Sequence, residues 1–146
     1  MGDFLELRII RALKSLLSGR VNEILREDAL DIPLIEFSDY NGHHYHTVPV
    51  IALSSCERTE KERVIRIAAY TVTISFALPE TYESEEQCYA YSEAVCRALK
   101  ETPTLGGLVD RARMTGEKYA LPKPKGAGGS WRVELSLRVT VGEQNR

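Results

Sequence analysis

The side chains with the most chemistry to offer are His43, His44 and His46, with Asp39 just upstream and Cys56 downstream. Histidine and aspartate at short spacing would suit a metal ion. Structural zinc sites, however, recruit cysteine or well-separated histidine pairs, and adjacent His43 and His44 cannot easily point at one ion. A polar loop running into a strand accounts for the cluster without a metal. Cys56 with one of these histidines would make a nucleophile and its base, yet nothing flanking Cys56 matches a nucleophile motif. Gly106-Gly107 and Gly126-Ala127-Gly128-Gly129 fit neither GxxxxGK(S/T) nor GxGxxG. The second run precedes a strand rather than a helix, the wrong setting for a phosphate. The expectation is a chain with no enzymatic site, no cofactor and no metal.

Charge is sorted along the chain. Arg111, Arg113, Lys118, Lys123, Lys125 and Arg132 fall in one segment against Glu117 alone. Glu80, Glu83, Glu85, Glu86, Glu93 and Glu101 fall in another against Arg97 and Lys100. Such blocks suit complementary surfaces on adjacent copies, as in a head-to-tail ring. The basic block would alternatively meet nucleic acid, or both blocks are simply solvated faces. Tyr119 and Trp131 flank the basic stretch but complete no RNA- or DNA-binding signature.

The chain that must position these groups has 146 residues, 43% hydrophobic and 27% charged, with a formal net charge of -2. That is enough for a single domain, 1–146, with a real core, and it is not the composition of a disordered chain. The small net charge provides no global pull toward nucleic acid or an acidic membrane. Cys56, Cys88 and Cys96 are odd in number and widely spaced, which argues against a disulfide framework and for a reducing compartment. Cys88 and Cys96 fall on one helix as small apolar residues. The longest apolar runs fall far short of the ~20 residues of a membrane span, and the first residues read as no signal peptide. The expected location is the cytoplasm.

Hydrophobic periodicity sets the elements. Leu5, Ile9, Leu13 and Leu16, widened by Ile10 and Leu17, predict a helix over 4–17. Asp3 would cap it and Ser18-Gly19 would end it, with Val21, Ile24 and Leu25 adding one or two further turns. The stretch 32–37 reads as a short edge strand because of Pro33, and 38–42 as a turn. A buried strand is expected over 48–53, and an exposed connection over 56–62. The strongest expectation is a long strand over 63–78. Val64, Ala68, Tyr70, Val72, Ile74, Phe76 and Leu78 form one face, broken only by Arg66. At ~3.3 Å per residue it would span roughly 53 Å, more than the ~40 Å diameter of a compact domain this size. It must therefore bend, bulge or project as an arm.

Ser84 and Gln87 fit a capping box for a helix over 84–100, with Cys88, Tyr91, Val95 and Leu99 as its stripe. Thr102-Pro103 ends it. Residues 121–130, rich in Pro, Lys and Gly, read as a flexible loop at a hairpin tip. Trp131, Val133, Leu135, Leu137, Val139 and Val141 alternate with polar residues in a last strand, and 142–146 read as a polar tail. The predicted fold is α+β, with a mainly antiparallel sheet, a long hairpin-like strand and helices packed on one face.

With these elements in order, the chain resembles the tail terminator (tail-completion) proteins of Mu-like and other tailed phages and prophages. The resemblance covers most of the chain. It rests on the N-terminal helix, the strands at 48–53 and 63–78, the acidic-capped helix, the Pro103-Thr104-Leu105-Gly106-Gly107-Leu108-Val109-Asp110 segment and the terminal strand. Head-completion and other neck proteins share similar layouts. The resemblance implies a subunit of a ring, commonly a hexamer, on the last ring of the tail tube. It would contact the tail-tube protein and a head-completion protein, and DNA would pass through the lumen unread. The expected location becomes the virion tail, reached from the host cytoplasm, with no membrane. Gly106 and Gly107 would form a tight turn. Arg66, Glu85, Glu86, Arg111, Arg113, Lys123 and Lys125 are the candidate interface residues. Another head–tail connector, or a nucleic-acid-binding module using the basic 111–132 segment, are the alternatives.

Overall fold

The computed structural model describes residues 4–27, 37–39, 49–61, 65–79, 84–121 and 130–144. The order is α1 (Leu5–Glu27), β1 (Ser38–Asp39), β2 (Val50–Lys61), β3 (Ile65–Pro79), α2 (Ser84–Glu101), β4 (Arg111–Ala120) and β5 (Ser130–Gln144). The strands form one sheet in the order β1-β2-β3-β5-β4. Its four long strands are antiparallel, and β1 adds in parallel at the edge. Both helices pack against the sheet, so the chain is α+β as predicted.

α1 is one helix, and Ser18-Gly19 does not end it. A glycine inside a helix costs up to about 1 kcal/mol. Val21, Ile24 and Leu25 continue the stripe of Ile9, Leu13 and Leu17 and are all at most 1% exposed. Burying such side chains contributes roughly 1.5–3 kcal/mol each, which outweighs the glycine. Ser18 has another use: its Oγ accepts the N–H of Phe37 (3.3 Å), tying the segment that becomes β1 to the helix. Ser38 and Asp39, expected in a turn, are β1, paired with Val50 and Ile51. The rest of the predicted edge strand and turn lies outside the described residues.

β3 is the long strand that alternation predicts. It pairs with β5 along its whole length, from Ile65 opposite Gln144 to Pro79 opposite Ser130. Ala68, Tyr70, Val72, Ile74 and Phe76 on β3 and Val133, Leu135, Leu137 and Val139 on β5 are at most 3% exposed and face the helices. The irregularities fall in the two outer long strands, not in β3 or β5. β2 carries a bulge between Leu53 and Ser55, and β4 carries one between Met114 and Gly116. A bulge bends its strand and increases the local twist. Ser54 Oγ donates to the Thr71 carbonyl (3.1 Å) at the first bulge, and Thr115 Oγ1 to the Ser136 carbonyl (3.2 Å) at the second.

The charged stretch expected to be a connection is strand. β2 runs on through Lys61 because β3 supplies its hydrogen bonds as far as Ile65. This end of the ladder runs past the start of α1, where Tyr70 Oη donates to Glu6 Oε2 (3.2 Å). Likewise Gly142, Glu143 and Gln144, expected in a polar tail, belong to β5. The unassigned stretch before the hairpin loop is β4. α2 begins at Ser84 and buries Cys88, Tyr91, Val95 and Leu99 as predicted. Tyr91 meets Phe76 edge to face, with centroids 5.8 Å apart.

Candidate functional site

The two sheet faces differ in kind. One is sealed by α1 and α2, and the other carries no element among the described residues. Residues opposite one another in a ladder share a face, so the register lays out this open face row by row. Ser55, Thr71, Arg138 and Arg113 form one row across β2, β3, β5 and β4. Glu57, Ala69, Thr140 and Arg111 form the next. In the other direction come Ala52, Thr73, Ser136 and Gly116, then Val50, Ser75, Glu134 and Lys118. Small and hydroxylated side chains floor the middle, and charge concentrates on β5 and β4.

Arg111, Arg113, Arg138 and Thr140 line a concavity of about 210 Å³. Arg113 and Arg138 are direct cross-strand partners, and Arg111 lies two residues from Arg113 on the same face. Like charges directly opposite one another destabilise a sheet. All three arginines are exposed, and among the described residues none has an ion-pair partner. Asp110, the nearest acid in sequence, is engaged elsewhere: its Oδ2 accepts the Gly142 N–H at 2.7 Å. The arrangement can bind an oxyanion, because guanidinium forks match carboxylate and phosphate geometry.

The acidic residues lie on the other layer. Glu85 and Glu86 are exposed in the first turn of α2. Tyr89 Oη donates to Glu85 (3.0 Å), and the Tyr89 ring meets Tyr119 edge to face at 5.1 Å. The start of α2 therefore sits over the far end of β4. Its other end is anchored by Arg20, which contacts Glu101 (2.6 Å), Glu27 (2.9 Å) and Glu23 (3.1 Å). The Arg20 hydrogen bond holds the Glu101 carboxyl below its usual range, and the same carboxylates hold the guanidinium proton more tightly.

Of the predicted interface residues, Arg111 and Arg113 come together, while Glu85 and Glu86 are placed apart from them. Arg66 stands in register between Glu60 and Glu143 at the far end of the ladder. Lys123 and Lys125 lie outside the described residues, as do His43, His44 and His46. Gly106 and Gly107 form the expected tight turn, with φ of 75° and 89°. Arg138 completes the cluster and was not singled out by sequence. Its signal was the alternation of β5, which puts Arg132, Glu134, Ser136, Arg138 and Thr140 on one face. Reading it required knowing that β4 pairs alongside.

The remaining cysteines and tyrosines differ in burial. Burial pushes the Cys88 thiol up to about 11, which keeps it protonated and unreactive. Cys56 stands opposite Tyr70 and is half-buried against the core, and all three cysteines are free. Burial raises Tyr70 and Tyr91 to about 12, with the Glu6 charge adding at Tyr70. Among the described residues, every buried side-chain N or O has a hydrogen-bond partner, and no three His, Cys, Asp or Glu side chains gather as a metal would need. No helix among them is long and apolar enough to cross a membrane. No family model and no curated protein matches the chain.

Proposed function

We propose that this chain is a structural virion protein of the tail-terminator kind. It assembles as a ring, taken to be a hexamer, on the end of the tail tube, stops tube growth and presents a surface to the head. Its partners are further copies of itself, the tail-tube protein and a head-completion protein, and DNA passes through the lumen without being read. It works in the virion tail after assembly in the host cytoplasm. The observation that carries this reading is the unequal sheet: one face is closed by both helices, while among the described residues the other carries no element across four long strands and its clustered arginines have no ion-pair partner. A face of that kind suits contact with other protein surfaces.

The test is the oligomeric mass of the purified chain, alone and mixed with the tail-tube protein, together with the length distribution of the tubes. A ring, or a monomer that caps tubes and fixes their length, is expected. A chain that neither associates nor alters tube length would sink the reading. The arginine cluster favours one second reading, a nucleic-acid-binding module. That reading requires the isolated chain to bind duplex DNA with an affinity that falls steeply as salt rises.

A further inference from the structure

We infer that the arginine-lined concavity on β4 and β5 seats the acidic first turn of α2, Glu85 and Glu86, from a neighbouring copy, so that copies join head to tail. The inference rests on the ring reading and names the junction within it.

Charge supplies the first reason. Arg113 and Arg138 oppose one another across the ladder, with Arg111 beside them, and among the described residues no carboxylate answers them. Among the described residues, the acids nearest on this side are Glu57, across Ala69 on β2, Glu134, in register with Lys118, and Asp110, next to Arg111, whose Oδ2 is taken by the Gly142 N–H. An anion from outside the chain removes the repulsion that the fold leaves in place.

Distance supplies the second. The first turn of α2 sits at the Tyr119 end of β4, and Tyr119 pairs with Val133. From Val133 to Arg138 along β5 is about 17 Å at ~3.4 Å per residue, and the helix layer adds a separation through the sheet. That exceeds the ~8 Å Debye length at physiological salt, so the two groups do not neutralise each other within one chain. They lie on opposite layers and toward opposite ends. A second copy, translated and rotated, brings them together.

Symmetry supplies the third. A patch of one sign cannot meet itself across a two-fold axis without repulsion. A two-fold junction pairing concavity with helix turn would need both on one self-complementary surface, and they lie on opposite layers, so the junction is heterologous and closes into a ring when the rotation permits. Nucleic acid is the less suited occupant. The row beyond Arg113 and Arg138 is neutral (Thr73, Ser136 and Gly116), and the next sets Glu134 beside Lys118 before Arg132 follows, so a neutral row and an acid split the basic side chains into two groups instead of the unbroken track a backbone favours.

The experiment is a charge swap followed by sedimentation, in solution or on tail tubes, whichever supports the wild-type ring. R113E/R138E makes the concavity acidic, and E85K/E86K makes the helix turn basic. Each variant alone is expected to associate at least about 100-fold more weakly, since close interfacial charge pairs couple strongly. Mixed in equal amounts they restore every junction, Lys on Glu and Glu on Arg in alternation, so association returns with even-numbered assemblies only. All the changed side chains are exposed, and circular dichroism checks that the variants fold. Variants that associate like wild type, or a mixture that stays dissociated, would overturn the inference and leave the ring reading standing. Loss of salt-dependent duplex binding in R113E/R138E, with self-association unchanged, would overturn it in favour of nucleic acid. A wild-type chain that stays monomeric both alone and on tubes would sink the ring itself.

Discussion

Alanine at Gly107 and alanine at Gly19 are the same chemical change with opposite expected outcomes. At both positions a built Cβ meets nothing within 4 Å, so sterics against neighbours drop out and only backbone conformation remains. Gly107 has φ of 89°, and its N–H is held by the Thr104 carbonyl (3.1 Å) and hydroxyl (3.2 Å), so the turn cannot relax without losing those bonds. An L side chain in that region costs about 1–2 kcal/mol, and the stiffer unfolded chain returns about half of that. The net expectation is about 1 kcal/mol of destabilisation. Gly19 lies inside α1. Alanine there is the better helix former by about 1 kcal/mol, so Gly19→Ala stabilises. The two variants then differ by about 2 kcal/mol, or about 6–8 °C in Tm for a domain of this length. Urea unfolding at unchanged m-value is the assay. A Gly19→Ala variant less stable than wild type would refute the continuous helix. A neutral Gly107→Ala would refute the left-handed turn.

Further outcomes follow from burial and charge. Leu137→Ala, at 0% exposure in the centre of β5, should lose about 2–5 kcal/mol in urea unfolding. Tyr70 and Tyr91 have folded-state values raised to about 12 from 10.0, so the stability they hold is complete below pH 10 and lost as pH rises toward 12. An ultraviolet titration should show two tyrosines ionising only as the chain unfolds; normal titration of all seven in the folded state would contradict this. Glu101 has a lowered value, so its contribution is present above the ordinary carboxylate range and lost as pH falls through the folded value. Glu101→Gln should therefore be less stable than wild type at neutral pH and equal to it in strong acid, by parallel urea melts. Tyr70→Phe removes the hydrogen bond to Glu6 and should cost about 1 kcal/mol, read the same way.

How much was legible depends on whether a strand keeps its phase. β3 and β5 pair without interruption from end to end, so their apolar residues alternate in sequence as they do in space. Both were read from alternation alone, as was the buried stripe of α2. β2 and β4 each carry a bulge, and a bulge advances the chain by one residue relative to its partner. On β2 the residues facing the helices are Ile51 and Leu53 before the bulge and Cys56 and Arg58 after it. On β4 they are Ala112 and Met114 before, and Glu117 and Tyr119 after. The alternation changes parity partway, so a period-2 reading ends at Leu53 and finds no strand at 111–120. The arginine cluster was half visible for the same reason: Arg111 and Arg113 stood out as charge, while Arg138 joined them only through the β4–β5 ladder.

By itself the sequence determined the α+β class, the helix stripes and the two unbroken central strands. Each of these is a local matter of period or capping, written in neighbouring residues. The tertiary structure decided the rest. It carried α1 through Gly19, because packing of Val21, Ile24 and Leu25 outweighs one poor helix former. It drew the charged end of β2 into the sheet, because β3 offers hydrogen bonds there whatever the side chains. It also placed Arg138 opposite Arg113 on an open face, with the acids of α2 on the far layer, because register and layer order are fixed by contacts between residues distant in sequence.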